Sequence, residues 1–170
     1  MVRAWRRCFS SVVVLACCGC FSMPQTAAEF RQAVPGSMSA KHQSYEVNRS
    51  YREIGHTLRK KAKECLNVSV EVSSVGHGSA SHWVDHYKPT VVVGDQRAEL
   101  HLQQHKVSRM LIKPHKEPEG GYYLIVVDVD RLSRDRVKVD MYVPRLGYDH
   151  VIDAIDGWIR GTSSLCPDMA

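Results

Sequence analysis

Residues 136–161 read R-V-K-V-D-M-Y-V-P-R-L-G-Y-D-H-V-I-D-A-I-D-G-W-I-R-G. The first eight alternate, with Val137, Val139, Met141 and Val143 on one side. That is the period of a strand with one covered face. Past Pro144 the period changes. Val151, Ile152, Ile155, Trp158 and Ile159 recur at helical spacing over about Asp149–Arg160, and Gly161 stands where a left-handed residue would end such a helix. A one-sided strand followed by an amphipathic helix implies an antiparallel sheet with a helix on its apolar face.

The rest of the chain extends this pattern in both directions. Tyr122–Val129 is a strongly apolar strand, preceded by a turn at Glu117–Gly121. Pro89–Val93, Gly94-Asp95 and Arg97–Gln104 read as a hairpin with a tight glycine turn, with a further strand near Val107–Ile112. Val68, Val70 and Val72 alternate with Ser69, Glu71 and Ser73, and a polar loop follows at Gly76–Ser81. Ser44–Asn48 is a short strand. S-Y-R-E at Ser50–Glu53 has the form of a capping box. The helix it opens carries Tyr51, Ile54, Leu58, Ala62 and Cys65 on one face. Arg52, Arg59, Lys60, Lys61 and Lys63 lie elsewhere on the wheel, as a solvated face or as a contact for anionic lipid or an acidic partner. The predicted class is α+β: a curved antiparallel sheet of about five to seven strands packed by two helices, helix-grip-like. The alternative is a ferredoxin-like α+β sandwich, which has fewer strands.

The N-terminus reads differently. Arg3, Arg6 and Arg7 precede a short apolar run from Phe9 to Ala16. That is a signal-peptide pattern, far short of the roughly 20 residues of a transmembrane helix. V-L-A-C at Val14–Cys17 resembles the lipobox of bacterial lipoproteins, in which the cysteine sulfur takes up a diacylglycerol and becomes the new N-terminus. Leu15 is bulkier than usual in that pattern. A second register, ending at Cys20 after Gly19, lacks the aliphatic residue three positions earlier. An ordinary secretory signal and a twin-arginine signal at Arg6-Arg7-Cys8-Phe9 are the competing readings. Residues 1–16 are thus expected to be a signal peptide, 17–43 a flexible tether with a short helical piece at Ala27–Val34, and 44–168 a single globular domain.

The full chain has 23 basic and 18 acidic residues. Three arginines leave with residues 1–16, so the mature chain holds 20 against 18, a net +2. Most of the apparent basicity therefore belongs to targeting and gives no argument for nucleic acid. The 13 aromatic residues form no basic-aromatic platform.

K-K-A-K-E-C-L at Lys60–Leu66, A-I-D-G-W at Ala154–Trp158 and C-P-D at Cys166–Asp168 resemble a group of proteobacterial lipoproteins without an assigned activity, over about Tyr45–Asp168. A looser, topological similarity is to the helix-grip lipoprotein of the outer-membrane β-barrel assembly machinery. The first resemblance implies a palmitoylated lipoprotein of the cell envelope. In the sorting rule it brings, the absence of aspartate after either candidate cut, at Cys18 or Phe21, favours the outer membrane, facing the periplasm.

Candidate chemistry is sparse. Of nine histidines, His77, His82 and His86 share a loop region, and His101 and His105 share a strand face. Nothing in the spacing forces the convergence that zinc needs, and exposed polar histidines are the expectation. Ser79, His82 and Asp85 offer a hydrolase set without the G-x-S-x-G elbow. Asp128 and Asp130 share a strand face, with surface ion pairing as the expected use, given Arg131, Arg134 and Arg136 nearby. No catalytic residue, metal or cofactor is assigned. Tyr122, Tyr123, Trp83 and Trp158 are candidates to line a cavity between sheet and C-terminal helix, with aromatic core packing as the alternative. Cys65 and Cys166 are the only cysteines of the folded region and are expected to pair. The expected function is a non-catalytic, lipid-anchored envelope protein that binds another envelope component or supports an assembly; the alternative is a small apolar-ligand or lipid-binding module. The expected partners are the membrane, through the N-terminal lipid, and other envelope proteins.

Overall fold

A computed structural model describes residues 23–37, 40–76, 79–108, 117–143 and 147–169, with backbone alone at 74–76, 79–81 and 108. The elements in chain order are α1 (Ala27–Ala33), β1 (Lys41–Val47), α2 (Tyr51–Lys61), β2 (Ser69–Gly76), β3 (Ser79–Val93), β4 (Arg97–Ser108), β5 (Tyr122–Arg131), β6 (Val137–Val143) and α3 (Asp149–Arg160). A single 3₁₀ turn, Val34–Gly36, follows α1, and a wide turn, Ala62–Leu66, extends α2.

The fold is α+β. The six strands form one open sheet in the order β1-β6-β5-β4-β3-β2, and every neighbouring pair is antiparallel. β2 to β6 form a meander, and β1 lies beside its last strand. The order and the strand number both differ from a ferredoxin-like sandwich.

One face of the sheet is dry. Leu100 lies opposite Val127, which lies opposite Met141, and all three are buried. Ala98, Val129 and Val139 form the next such row. Tyr51, Ile54 and Leu58 of α2, with Ala62 and Cys65 beyond it, pack into the same cluster. So do Val151, Ile152, Ile155, Trp158 and Ile159 of α3. The indole of Trp158 is fully buried, and its N–H donates to the Leu165 carbonyl at 2.8 Å. Gly161 adopts φ +73°, as a C-terminal cap requires. Arg49 donates to the free carbonyls of Trp158 and Ile159 at 2.6 and 3.0 Å. Cys65 and Cys166 are joined as a disulfide, with Cα atoms 5.1 Å apart. It ties the end of the α2 extension to the tail beyond α3.

Between β4 and β5 the register shifts: Leu102 faces Ile125 but Gln103 faces Tyr123, so Leu124 is an extra residue. Such a bulge bends the strand and sharpens its twist. Gly121, just ahead, has φ +107°, and a Cβ there would stand 2.5 Å from the Gln104 carbonyl oxygen. Only glycine lets the chain approach β4 this closely.

Four local expectations differ from the structure. Ser50 precedes α2 but its side chain caps nothing; Glu53 lies 3.7 Å from Arg49 instead. The polar stretch after β2 is mostly strand, because β3 begins at Ser79 and pairs with β2 throughout. β4 runs on to Ser108 in place of a separate strand, and 109–116 lie outside the described residues. The largest difference concerns the tether. The helical piece expected at Ala27–Val34 is present, as α1 and its 3₁₀ turn over 27–36, but it is docked on the sheet, and β1 starts at Lys41. Thr26 caps α1 by accepting from the Glu29 N–H at 3.2 Å. Phe30 and Val34, four apart, bury themselves against Val126 on the sheet face opposite α2 and α3.

Candidate functional site: the strap and its cleft

The second face of the sheet is polar, because the alternation that makes the first face apolar leaves Glu99, His101, Gln103, Asp128, Asp130 and Asp140 on the other side. α1 crosses this face as a strap. Arg31 is its anchor: Nε and Nη2 donate to the two oxygens of Asp128 at 2.7 and 2.6 Å, and Nη2 also reaches Glu99 at 2.5 Å. The Asp128 side chain is only 4% exposed. Burial alone would lower the Arg31 pKa, but hydrogen bonds and charge from Asp128 and Glu99 outweigh it and raise it. Burial likewise works against the Glu99 carboxylate, yet Arg31 and His101 hold its pKa below the ordinary value. Asp140 is lowered in the same way, with Lys138, Ser44 and His42 overcoming burial.

Beside the strap, at the start of β5, lies an apolar cleft of about 380 Å³. Met23, Phe30 and Val34 form one wall, and Tyr122, Tyr123 and Leu124 form the other. β6 pairs with β5 only from Val126 onward, so no β6 residue faces this end of β5. Phe30 and Tyr123 pack ring to ring at 5.6 Å. Gln104 and Lys106 supply the polar rim. The Lys106 ammonium sits over the Trp83 ring, 4.6 Å from its centroid. A second, shallower depression joins Arg59 and Lys63 to Lys88 of β3. Of the other α2 cations, Lys60 and Lys61 pair with Glu64.

The structure separates the other candidates. Tyr122 and Tyr123 line the cleft, but Trp158 is core and Trp83 stacks under Lys106. The cavity therefore sits by the N-terminal strap, away from α3. His82 and His86 are four apart on β3, about 13 Å along a strand. They face Ser73 and Ser69, at 3.3 and 2.6 Å, and not each other. His77 lies outside the described residues. His101 is not exposed as expected: its side chain is 16% accessible, with Nε2 2.9 Å from Glu99. Among the described residues, no group of three or more His, Cys, Asp or Glu is placed to hold a metal ion. Asp85 lies on the face of β3 opposite His82, so the hydrolase set does not assemble; the Ser79 side chain is not described. Instead Asp85 is buried, with one oxygen accepting from the Trp83 indole at 3.2 Å and the other without a hydrogen-bond partner among the described residues. Nearby Tyr87 is pushed up to about 12 by burial first, then by Tyr148 and Asp85. Asp128 and Asp130 are ion-paired, with Arg31 and Arg97 (2.6 Å); neither is an arginine close in sequence.

Cys17 and Cys20 lie outside the described residues. Among the described residues, no helix is long and apolar enough to cross a membrane. No protein-family model matches the chain, and no curated protein matches it.

Sequence reasoning gave the helical piece at Ala27–Val34 but missed its docking on the sheet as a strap. Phe30 and Val34 at helical spacing, with Arg31 between them, were the available signal. What the sequence did not reveal was the partner surface, since Val126 and Asp128 read as strand residues with no stated neighbour.

Proposed function

We propose that the chain is a lipid-anchored protein of the cell envelope, attached through Cys17, with outer-membrane placement on the periplasmic side, and that it works by binding rather than by catalysis. The observation that carries the envelope reading is the disulfide between Cys65 and Cys166, downstream of a signal-like leader. A pair of this kind persists in an oxidising compartment and is rare in the cytosol. The binding reading is supported by the apolar cleft. Its volume and its lining, mostly hydrophobic and aromatic with few polar groups, are those of a small-ligand site. This favours the apolar-ligand module as the second reading, with the site beside α1.

The test is fractionation of cells making the full chain, wild type and Cys17→Ser. The expected outcome is a membrane-bound mature wild-type protein, and a Cys17→Ser protein that is released or remains uncut. Alkylation of the unfolded protein without prior reduction should leave Cys65 and Cys166 unlabelled. A wild-type protein found wholly soluble, or with both cysteines labelled, would contradict the proposal.

A further inference from the structure

We infer that the cleft beside α1 takes up a single acyl chain of a bilayer phospholipid, and that the domain sits with this cleft against the membrane. The inference rests on the anchoring reading above and adds the ligand class and the orientation. It begins with the length of chain left outside the folded body. Because α1 and β1 are both packed on the sheet, the leash is not a tether of about 25 residues. Only six residue steps separate Cys17 from Met23, and Met23 itself lines the cleft. A chain extends at most about 3.3–3.6 Å per residue, so the lipidated residue cannot lie more than about 20 Å from the cleft. From Cys20 the limit is about 10 Å. The anchored molecule therefore has its cleft in or near the headgroup layer.

The lining suits that position. The walls are aliphatic and aromatic, and Met23 is 46% exposed at the mouth. Tyr122, Tyr123 and Lys106 stand around them, with Trp83 under the lysine. Tyrosine and tryptophan prefer the membrane–water interface, and a lysine near the surface is drawn to anionic headgroups. An acyl chain would replace water against Met23, Ala33, Tyr122 and Tyr123, over the buried Phe30, Val34 and Leu124, while its headgroup stayed by Lys106. The own lipid of Cys17 is the competing source. The firm anchorage proposed above needs its chains in the bilayer, since a single chain gives only marginal binding.

The experiment uses the mature, lipidated full chain in phosphatidylethanolamine–phosphatidylglycerol vesicles with deuterated acyl chains. A photocrosslinking residue, p-benzoylphenylalanine, replaces either Ala33, exposed at the cleft, or Leu132, exposed at the opposite end of β5. The two ends of β5 are about 30 Å apart. We expect deuterated-chain adducts at position 33 to exceed those at 132 on the order of tenfold, and a 12-residue Gly-Ser insertion after Ser22 to reduce them several-fold by lowering effective concentration. Equal yields at both positions, or none at either, would overturn the inference. An undeuterated adduct from the protein's own lipid would overturn the bilayer source. If the wild-type chain is not membrane-bound, the anchoring reading fails by itself. The cleft is then judged on Cys17→Ser protein mixed with the same lipid in detergent. An adduct at 33 alone keeps the chain-binding site, and its absence removes it.

Discussion

The face of the sheet under α2 and α3 and the face under α1 are held by different forces. Under α2 and α3 the contact is apolar from Val137 to Trp158, and a disulfide closes it. Under α1 only Phe30, Val34 and Val126 form a dry cluster, and an arginine between two carboxylates does the rest. The first kind of contact depends on volume and little on pH. The second depends on charge, and water can rescue its groups if the strap lifts. A protein built this way has a body that unfolds as a unit and a strap that opens locally first.

This contrast can be broken from either side. The largest expected effect is on the disulfide. Cys65→Ser or Cys166→Ser frees a loop with a sequence separation of 101 residues, for which the chain-entropy estimate is about 4–5 kcal/mol. Denaturant titration should show equal losses for the two single variants and little further loss for the double. Next, Trp158→Ala should cost about 3–5 kcal/mol as a cavity in the dry core, read by the same titration. Arg31→Ala strands the carboxylate of Asp128. A fully trapped charge of that kind would cost about 3–5 kcal/mol. Here the strap can lift and let water in, so the expected loss is about 1–3 kcal/mol. It should appear as faster proteolysis near Phe30 with little change in the global midpoint. An equal drop in both would mean that strap and body are one unit.

Acid should act on the same side of the contrast. The pKa of Glu99, which Arg31 of the strap and His101 hold, is lowered in the folded protein, as is that of Asp140, which Lys138, Ser44 and His42 hold at the β6–β1 pair away from Arg31. Their contribution is complete above the unfolded carboxylate range, near 4, and is lost as pH falls through the lower folded values. Strap protection should therefore decline below about pH 4, while the α2–α3 core, read by near-ultraviolet dichroism of Trp158, should hold longer. Finally, Thr26→Ala should cost about 1 kcal/mol locally by removing the α1 cap. Ser50→Ala should be close to neutral, because its hydroxyl caps nothing.

The body of the fold was legible because its two periods are clean. Val137, Val139, Met141 and Val143 alternate, and Val151 to Ile159 keep helical spacing. The packed faces of α2 and α3 were readable except for Gly55, Gly157 and, beyond α2, Leu66. The disulfide was legible because only two cysteines lie in the folded region. The docking of the strap was not, since it depends on residues of α1 meeting two strands, with Arg31 97 positions from Asp128 and 68 from Glu99. The first part of β3 was missed because Ser81, His82 and Asp85 resemble a loop, although β2 supplies the partner that makes the stretch a strand. The capping box at Ser50 was a sequence pattern whose geometry Arg49 took over. The cleft followed the strap: without α1 docked it has only one wall.

The most direct test is amide hydrogen exchange at Phe30–Val34 in the wild-type protein at neutral pH, compared with the amides of α3. If α1 is part of the folded body, the Phe30 N–H, which donates to the Thr26 carbonyl at 3.0 Å, should exchange well below the unstructured rate and faster than Trp158 in α3. Exchange of Phe30–Val34 at the rate of an unstructured chain would contradict the account and restore the segment to a tether.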